Sequence, residues 1–192
     1  ARGSGAVEAA KLGAVAMVMR PAGTSTSRTP HTGAQRVTNG IPPIPALALS
    51  NPDADLLEQQ LASGRPVRLK LFNSSSWQGE AQSANVIGEL RGREKPDEVV
   101  VISGHLDSWD VGQGAHDDGA GCAQVIEALR LLRAAGLPLR RTVRGVLFMN
   151  EENGLRGGLA YAKAHAHEVH AAAIETDSGG ATPHGFTCSL DD

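Results

Sequence analysis

The sequence predicts an α/β protein, a layered α-β-α domain with a central, mostly parallel or mixed sheet, preceded by a smaller unit. From residue 84 onward, apolar runs of strand length alternate with segments of helical periodicity in the order β-β-α-β-α-β. Residues 98–103 form a nearly continuous β-branched run, which is typical of a strand buried on both faces. The Asn-Ser-Ser-Ser stretch at 73–76 punctuates the chain, so we predict domains at 1–75 and 76–192.

The smaller unit is expected to mix short helices and strands. The predicted order is helix 6–12, strand 14–19, a loop rich in Thr, Ser, Gly and Pro at 20–42, strand 45–49, helix 52–62 and strand 67–72. Ser50 or Asn51 can cap the second helix, which opens at Pro52 and stops at Gly64. The last strand is predicted from strict alternation of apolar and polar residues.

The larger unit is predicted to begin with a hairpin strand. The predicted order is strand 84–90, turn 91–97, strand 98–103, helix 119–135, strand 142–149, helix 155–165 and strand 171–176. The first helix is indicated by an apolar stripe at helical spacing, made of Cys122, Val125, Ile126, Leu129 and Leu132. Gly136 and Pro138 end it.

Composition excludes several classes of function. The 192 residues are 41% hydrophobic and 20% charged with a net charge of -3, which is an ordinary globular composition. A charge this close to zero offers no electrostatic footprint for nucleic acid, and no apolar run reaches the roughly 18 residues of a membrane span. Two cysteines make neither a disulfide framework nor a cysteine-based zinc site. The chain lacks an initial Met and a signal-peptide pattern, so we expect an internal piece of a longer protein.

Residues that can bind metal follow three of the predicted strands. His105 and Asp107 come after the first of them, Glu151 and Glu152 after the second, and Asp177 after the third. Ligands of open α/β sheets bind beyond the carboxyl ends of the strands, so these side chains are expected to lie together. Their arrangement predicts a metal site at that edge.

A fourth acidic cluster lies at the start of the predicted helix 119–135. Asp117 and Asp118 could simply cap the helix, since acids are favoured there. Together with the other clusters, these two acids favour a metal site over simple helix capping. One histidine with several carboxylates suits zinc, manganese or cobalt. The acids exceed the needs of one ion, so a carboxylate bridging two ions roughly 3.5–4 Å apart is expected.

Four motifs carry a resemblance to a known family. They are Gly-His-Leu-Asp-Ser-Trp-Asp, Gly-Ala-x-Asp-Asp-Gly-x-Gly, Asn-Glu-Glu and Glu-Thr-Asp-Ser-Gly, at 104–110, 114–121, 150–152 and 175–179. In this order they resemble the co-catalytic di-zinc exopeptidases, a family of secreted aminopeptidases and carboxypeptidase Q-like enzymes. The Trp of the first motif and the whole fourth motif are most similar to the carboxypeptidase Q branch. Residues 1–72 resemble, more weakly, the later part of a protease-associated domain.

The resemblance implies roles for individual residues. It implies two Zn²⁺ ions per full-length chain, hydrolysis of N-terminal residues or dipeptides, and export from the cytoplasm to a secreted, periplasmic or extracellular location. It also suggests a homodimer. The implied assignments are His105 and Asp177 as ligands of the first metal, Asp117 as the bridging ligand, Glu152 on the second metal, Asp107 orienting the imidazole of His105, and Glu151 as general base. The second metal also requires a histidine further along the chain than His184, so its ligand set is expected to be incomplete here.

Alternatives remain open at this point. A related di-zinc group has Asp-x-Lys-Gly where this chain has Asp-Asp-Gly-Ala at 117–120. A single-zinc glutaminyl cyclase of the same fold and a non-catalytic, receptor-like homologue are also possible. His165, His167 and His170 are expected to form a polar helix end rather than a metal site, because His-Glu-x-His is one residue short of the metalloprotease spacing. His116 is expected to be an exposed neighbour of the bridging carboxylate.

Overall fold

The structure, a computed structural model, describes residues 3–76, 78–110, 112–177, 180–182, 185 and 187–188. The chain forms two compact units, Ala1–Glu80 and Ala81–Asp192. The likeness of the first unit to a protease-associated domain stays a prediction. Of the helices that the structure describes, none has both the length and the apolar character needed to span a membrane.

The first unit contains two helices and two short strands. They are α1 (Gly5–Lys11), β1 (Met17–Met19), β2 (Ala46–Ala48) and α2 (Asn51–Ala62). The strands are parallel, with Met17 opposite Ala46. Ser50 is the N-cap of α2 and its hydroxyl accepts a hydrogen bond from the amide of Asp53 at 3.2 Å, as the sequence predicted.

The strand predicted at 67–72 is wrong. Those residues form no regular structure, and their apolar side chains face solvent, with Phe72 83% exposed. The described strands of this unit, β1 and β2, pair with each other. Alternation makes a strand only where a neighbouring strand accepts the backbone hydrogen bonds and a core covers the apolar face.

The second unit follows the predicted order of elements. It contains β3 (Val86–Leu90), β4 (Lys95–His105), α3 (Gly119–Ala134), β5 (Arg141–Phe148), α4 (Arg156–Ala164) and β6 (Val169–Glu175). The four strands form one sheet in the order β3-β5-β4-β6. Strands β4, β5 and β6 are parallel, and β3 is antiparallel to β5. The prediction of an α/β fold with a mixed sheet is confirmed.

The predicted hairpin between β3 and β4 is wrong. Strand β3 pairs with β5, so β5 lies between the two strands that are adjacent in sequence. The connecting segment packs against the beginning of β5, where the amide of Gly92 donates to the hydroxyl of Thr142 at 3.1 Å. A Cβ on Gly92 would lie 2.4 Å from the carbonyl carbon of Arg141. The glycine therefore permits a close crossing rather than a tight hairpin turn.

The helices cover opposite faces of the sheet. A Cβ on Gly145 of β5 would lie 2.7 Å from Leu129 of α3, so α3 packs directly on that face. The next residue, Val146, packs with Tyr161 of α4 in the main core cluster. Because successive strand residues point to opposite faces, α3 and α4 lie on different sides. The apolar face that α3 buries is narrower than the stripe that the sequence predicted, since Ile126 is exposed.

Candidate metal centre

The parallel strands bring the predicted ligands to one edge of the sheet. His105 is the last residue of β4 and is in register with Phe148, the last residue of β5. Two residues after the end of β6 comes Asp177. Because β4, β5 and β6 run in the same direction, their carboxyl ends and the loops that follow them meet at this edge.

A histidine and two carboxylates converge there. Nε2 of His105 lies 3.1 Å from Oδ1 of Asp117 and 3.2 Å from Oδ1 of Asp177. The imidazole is only 1% exposed, whereas both carboxylates are about half exposed. Among the described residues these three form the group whose donor atoms are close enough to hold one ion. One imidazole nitrogen with two carboxylate oxygens is a donor set that suits zinc.

The imidazole of His105 is oriented by a backbone carbonyl. Its Nδ1 lies 2.8 Å from the carbonyl oxygen of Asp107, while the carboxylate of Asp107 is 3.8 Å away. The family resemblance implied that Asp107 orients the ring, and the structure assigns the hydrogen bond to its main chain. Donation from Nδ1 leaves the lone pair of Nε2 free for a metal. Burial would lower the pKa of His105, but hydrogen bonds to the Asp107 carbonyl and Asp177 raise it.

The carboxylate of Asp107 holds the loop that follows β5. It accepts hydrogen bonds from the amide of Glu151 at 2.9 Å and the amide of Glu152 at 3.2 Å. One residue therefore contacts the histidine through its main chain and both glutamates through its side chain. This arrangement couples the positions of the ends of β4 and β5.

Asp118 caps α3, one of the two roles that the sequence allowed for an acid at the start of this helix. Its buried carboxylate accepts from the amide of Gly121 at 2.9 Å and from the amide of His105 at 2.8 Å. The peptide bond between Asp117 and Asp118 is cis. A Cβ on Gly121 would lie 2.2 Å from the carbonyl oxygen of Thr176, so a glycine is required where α3 approaches the end of β6.

Both glutamates are partly buried. Burial is the main cause that raises the pKa of Glu151 and of Glu152, and neighbouring carboxylates add to it. The side chain of Trp109 forms a hydrogen bond with Glu152, yet Oε1 of Glu152 is buried without a hydrogen-bond partner. An unpaired buried carboxylate oxygen is costly, and a cation would satisfy it. The residues of this edge therefore fit a metal.

Comparison with known proteins identifies the family. Residues 85–191 match the model of peptidase family M28, which is more than half of the chain. The chain belongs to peptidase family M28. The family resemblance drawn from the four motifs is thereby confirmed, and every residue assigned to the metal centre lies inside the matched region.

Curated relatives and a solved structure agree with the M28 assignment. The chain is 41% identical to carboxypeptidase Q of Xenopus laevis and 38% identical to that of Homo sapiens, over 187 residues in each case. These matches cover 96% of this chain and 40% of each relative, so the chain spans about two fifths of their length. A crystal structure of a peptidase M28 precursor from Shewanella amazonensis superposes with a TM-score of 0.80 at 44% identity, covering 93% of this chain and 41% of that one.

Among the described residues, His105 is the one histidine in the group that could hold an ion. His116 is exposed, as expected. His165 contacts Glu168 at 2.9 Å and His170 contacts the hydroxyl of Tyr161 at 3.0 Å. Both belong to a polar network around the buried Arg144. His165 is the C-cap of α4, as predicted for a polar helix end. The same prediction is wrong for His170, which lies in β6 and pairs with Val99. His184 lies outside the described residues.

Sequence analysis missed one residue near the M28 centre. Asn85, immediately before β3, hydrogen-bonds to both ends of the loop that carries the two glutamates. No local pattern identifies it, because its partners lie 64 and 72 residues away in sequence. Only the pairing of β3 with β5 brings them together.

Proposed function

We propose that the protein containing this chain is a zinc-dependent exopeptidase that hydrolyses N-terminal residues or dipeptides. The observation that carries the proposal is the convergence of His105 Nε2 on Oδ1 of Asp117 at 3.1 Å and Oδ1 of Asp177 at 3.2 Å. Membership of a peptidase family supports peptide hydrolysis. Relatives named carboxypeptidase Q and aminopeptidase YwaD, the latter from Bacillus subtilis and 29% identical over 119 residues, support an exopeptidase.

The carboxylates divide between two ions in this proposal. His105 and Asp177 would hold the first zinc ion, and Glu152 would contribute its unpaired Oε1 to the second. Asp117 would contribute to both ions, because its half-exposed carboxylate has two oxygens and lies beside the buried histidine.

Glu151 is the general base of the proposed reaction. Zinc, when bound, lowers the pKa of water and polarises the scissile carbonyl group. Glu151 takes the proton from the attacking water and passes it to the leaving amine. Its burial supports this role, because a raised pKa makes its carboxylate a stronger base. The hydrogen bond from its amide to Asp107 fixes its position.

Location and assembly are proposed on family grounds alone. A secreted, periplasmic or extracellular location and a homodimer are consistent with the resemblance to the carboxypeptidase Q branch. Neither depends on the metal centre.

The decisive experiment compares the full-length wild type with the Glu151→Gln variant. We expect Glu151→Gln to lower kcat by about 10²–10⁴, the usual contribution of a general base, and to keep its zinc. Elemental analysis after gel filtration measures the metal, and an amino-acid anilide, its N-acetylated form and dipeptides measure the activity. Hydrolysis of the anilide but not of its acetylated form would establish the requirement for a free amine.

Other outcomes would contradict the proposal. A wild type without stoichiometric metal would favour a receptor-like homologue. One zinc ion per chain with cyclisation of N-terminal glutamine would favour a glutaminyl cyclase.

A further inference from the structure

The loop between β5 and α4 carries both glutamates in an unfavourable backbone conformation. Asn150 and Leu155 have φ angles of 64° and 59°. Residues other than glycine seldom adopt this left-handed region. Such conformations persist only where surrounding contacts impose them. The contacts that hold this loop therefore help to set the positions of Glu151 and Glu152.

Asn85 closes a ring of three hydrogen bonds across the ends of this loop. Its Oδ1 accepts from the amide of Met149 at 3.0 Å, and its Nδ2 donates to the carbonyl of Gly157 at 2.9 Å. The amide of Gly157 donates in turn to the carbonyl of Met149 at 2.9 Å. The carboxamide thus uses its acceptor on Met149, where the loop begins, and one donor on Gly157, in the first turn of α4 where the loop ends.

Gly157 leaves room for this carboxamide. A Cβ at that position would lie 2.3 Å from the carbonyl oxygen of Met149 and 2.4 Å from Oδ1 of Asn85. Both distances are far below van der Waals contact, so any other residue would displace one of the partners. The buried glycine and the asparagine form a matched pair.

The anchor made by Asn85 complements the one made by Asp107. Asp107 holds the middle of the loop through the amides of Glu151 and Glu152. Asn85 holds the ends from β3, on the far side of β5 from β4. The loop is therefore held from the segments next to two different strands, its middle by Asp107 and its ends by Asn85.

We propose that Asn85 is a positioning residue of the metal centre, acting through the loop ends at Met149 and Gly157 on the placement of Glu151 and Glu152. Its consequence for turnover rests on the proposed peptidase function. Its consequence for zinc binding rests on the proposed zinc ligands, and its consequence for loop order rests on neither.

The test uses the full-length protein in four forms: wild type, Asn85→Ala, Gly157→Ala and the control Thr142→Val. Thr142 is buried at the opposite end of β5, where its hydroxyl accepts from Gly92 at 3.1 Å and donates to Pro96 at 2.7 Å. Thr142→Val therefore removes two hydrogen bonds from the same strand without contacting the loop. Asn85→Asp, which keeps the acceptor for Met149, replaces Asn85→Ala if the latter does not fold.

Three measurements are made on each form. Hydrogen exchange is followed in peptides covering 149–157, the second zinc ion is titrated into metal-free protein, and kcat and KM are determined. For Asn85→Ala and Gly157→Ala we expect at least about fivefold faster exchange in this loop. We also expect about 10–100-fold weaker binding of the second zinc ion and a similar fall in kcat, with KM nearly unchanged. Thr142→Val is expected to match the wild type in all three despite its lower Tm.

Each result has a defined meaning. Loop exchange in Asn85→Ala no faster than in Thr142→Val would overturn the inference. Faster exchange with wild-type zinc affinity and kcat would make Asn85 a purely structural clamp and would overturn it equally. If the wild type hydrolyses no peptide, the proposed function fails, but exchange and zinc titration still decide the role of Asn85.

Discussion

The carbonyl oxygen of Asp107 lies 2.8 Å from Nδ1 of His105. The carboxylate of the same residue is occupied by the amides of Glu151 and Glu152. The histidine is therefore oriented by main chain and the glutamates by side chain. A substitution of Asp107 can separate the two functions, because it changes the side chain and keeps the carbonyl.

Asp107→Ala is expected to reduce turnover more than binding of the first zinc ion. The substitution removes both hydrogen bonds to the glutamate amides, while the contact to His105 is retained. We expect kcat to fall about 10–100-fold, as for other residues that orient a site. Steady-state kinetics and a zinc titration measure the two effects. An equal loss of the first zinc ion would show that the carboxylate, rather than the carbonyl, orients the imidazole.

Removing the metal should lower the stability of the second unit. A ligand that binds only the folded state stabilises it by about 2.7 kcal/mol at a free concentration of 100 Kd. We therefore expect chelation to lower Tm and zinc to restore it. Asp177→Asn should lose most of this zinc-dependent shift, because it weakens a ligand beside His105. Calorimetry at fixed protein concentration makes the measurement.

An exposed acid serves as the control for that experiment. Asp97 lies in β4 at the end of the strand opposite to His105. Asp97→Asn removes the same charge and should keep the full zinc-dependent rise in Tm. A shift that is unchanged in Asp177→Asn would contradict the assignment of that ligand.

Gly121→Ala should disrupt the centre by sterics alone. The new Cβ would lie 2.2 Å from the carbonyl oxygen of Thr176, next to Asp177, and 2.3 Å from Oδ1 of Asp118. We expect a loss of about 1–3 kcal/mol in unfolding free energy, as for overpacking in a core. Urea unfolding and zinc content measure the result.

Gly158→Ala provides a matched comparison. Its Cβ would meet no atom within 4 Å. In the helix α4, alanine is favoured over glycine by up to about 1 kcal/mol, so this variant should be stabilised with its zinc content unchanged. Equal effects of the two substitutions would show that helix propensity, and not the close approach at Thr176, decides the outcome.

The sequence could bring the candidate ligands to one edge of the sheet because their positions follow from local patterns. His105 ends β4, and Glu152 and Asp177 follow β5 and β6. Strands joined through helices run parallel, so their carboxyl ends meet. Asp117 comes just before α3, a helix that the sequence predicts from its apolar stripe. The order of secondary-structure elements was therefore sufficient to place these four side chains at one edge.

What the sequence did not predict depends on contacts between distant segments. Strand β3 pairs with β5, which is not the next strand along the chain, whereas the sequence predicted a hairpin between consecutive strands. Apolar and polar residues do alternate at 67–72, but none of the described strands pairs with this segment. Asn85 forms its hydrogen bonds through a side-chain amide, and nothing in its neighbours distinguishes it from any polar residue before a strand.

The last prediction concerns pH and the network around Arg144. Hydrogen bonds from Arg144 and then His165 hold the pKa of Glu168 down to about 2, below its ordinary value of 4.5. An acid whose pKa is lower in the folded state stabilises the fold above its unfolded pKa. That contribution is lost as the pH falls from about 4.5 towards 2. The wild type should therefore lose stability in this range.

Glu168→Gln isolates this contribution. It keeps the shape of the side chain and removes the charge beside the buried Arg144, which retains its contacts with Glu89 and Tyr161. At pH 7 we expect a loss of about 1.5–3 kcal/mol, the range for a hydrogen bond to a charged group. The difference from the wild type should shrink as the pH falls from about 4.5 towards 2, because the carboxylate of Glu168 is then protonated first in the unfolded chain and then in the folded protein. Urea unfolding of metal-free protein between pH 7 and pH 3 measures it, and a constant difference would show that the carboxylate of Glu168 does not act through its charge.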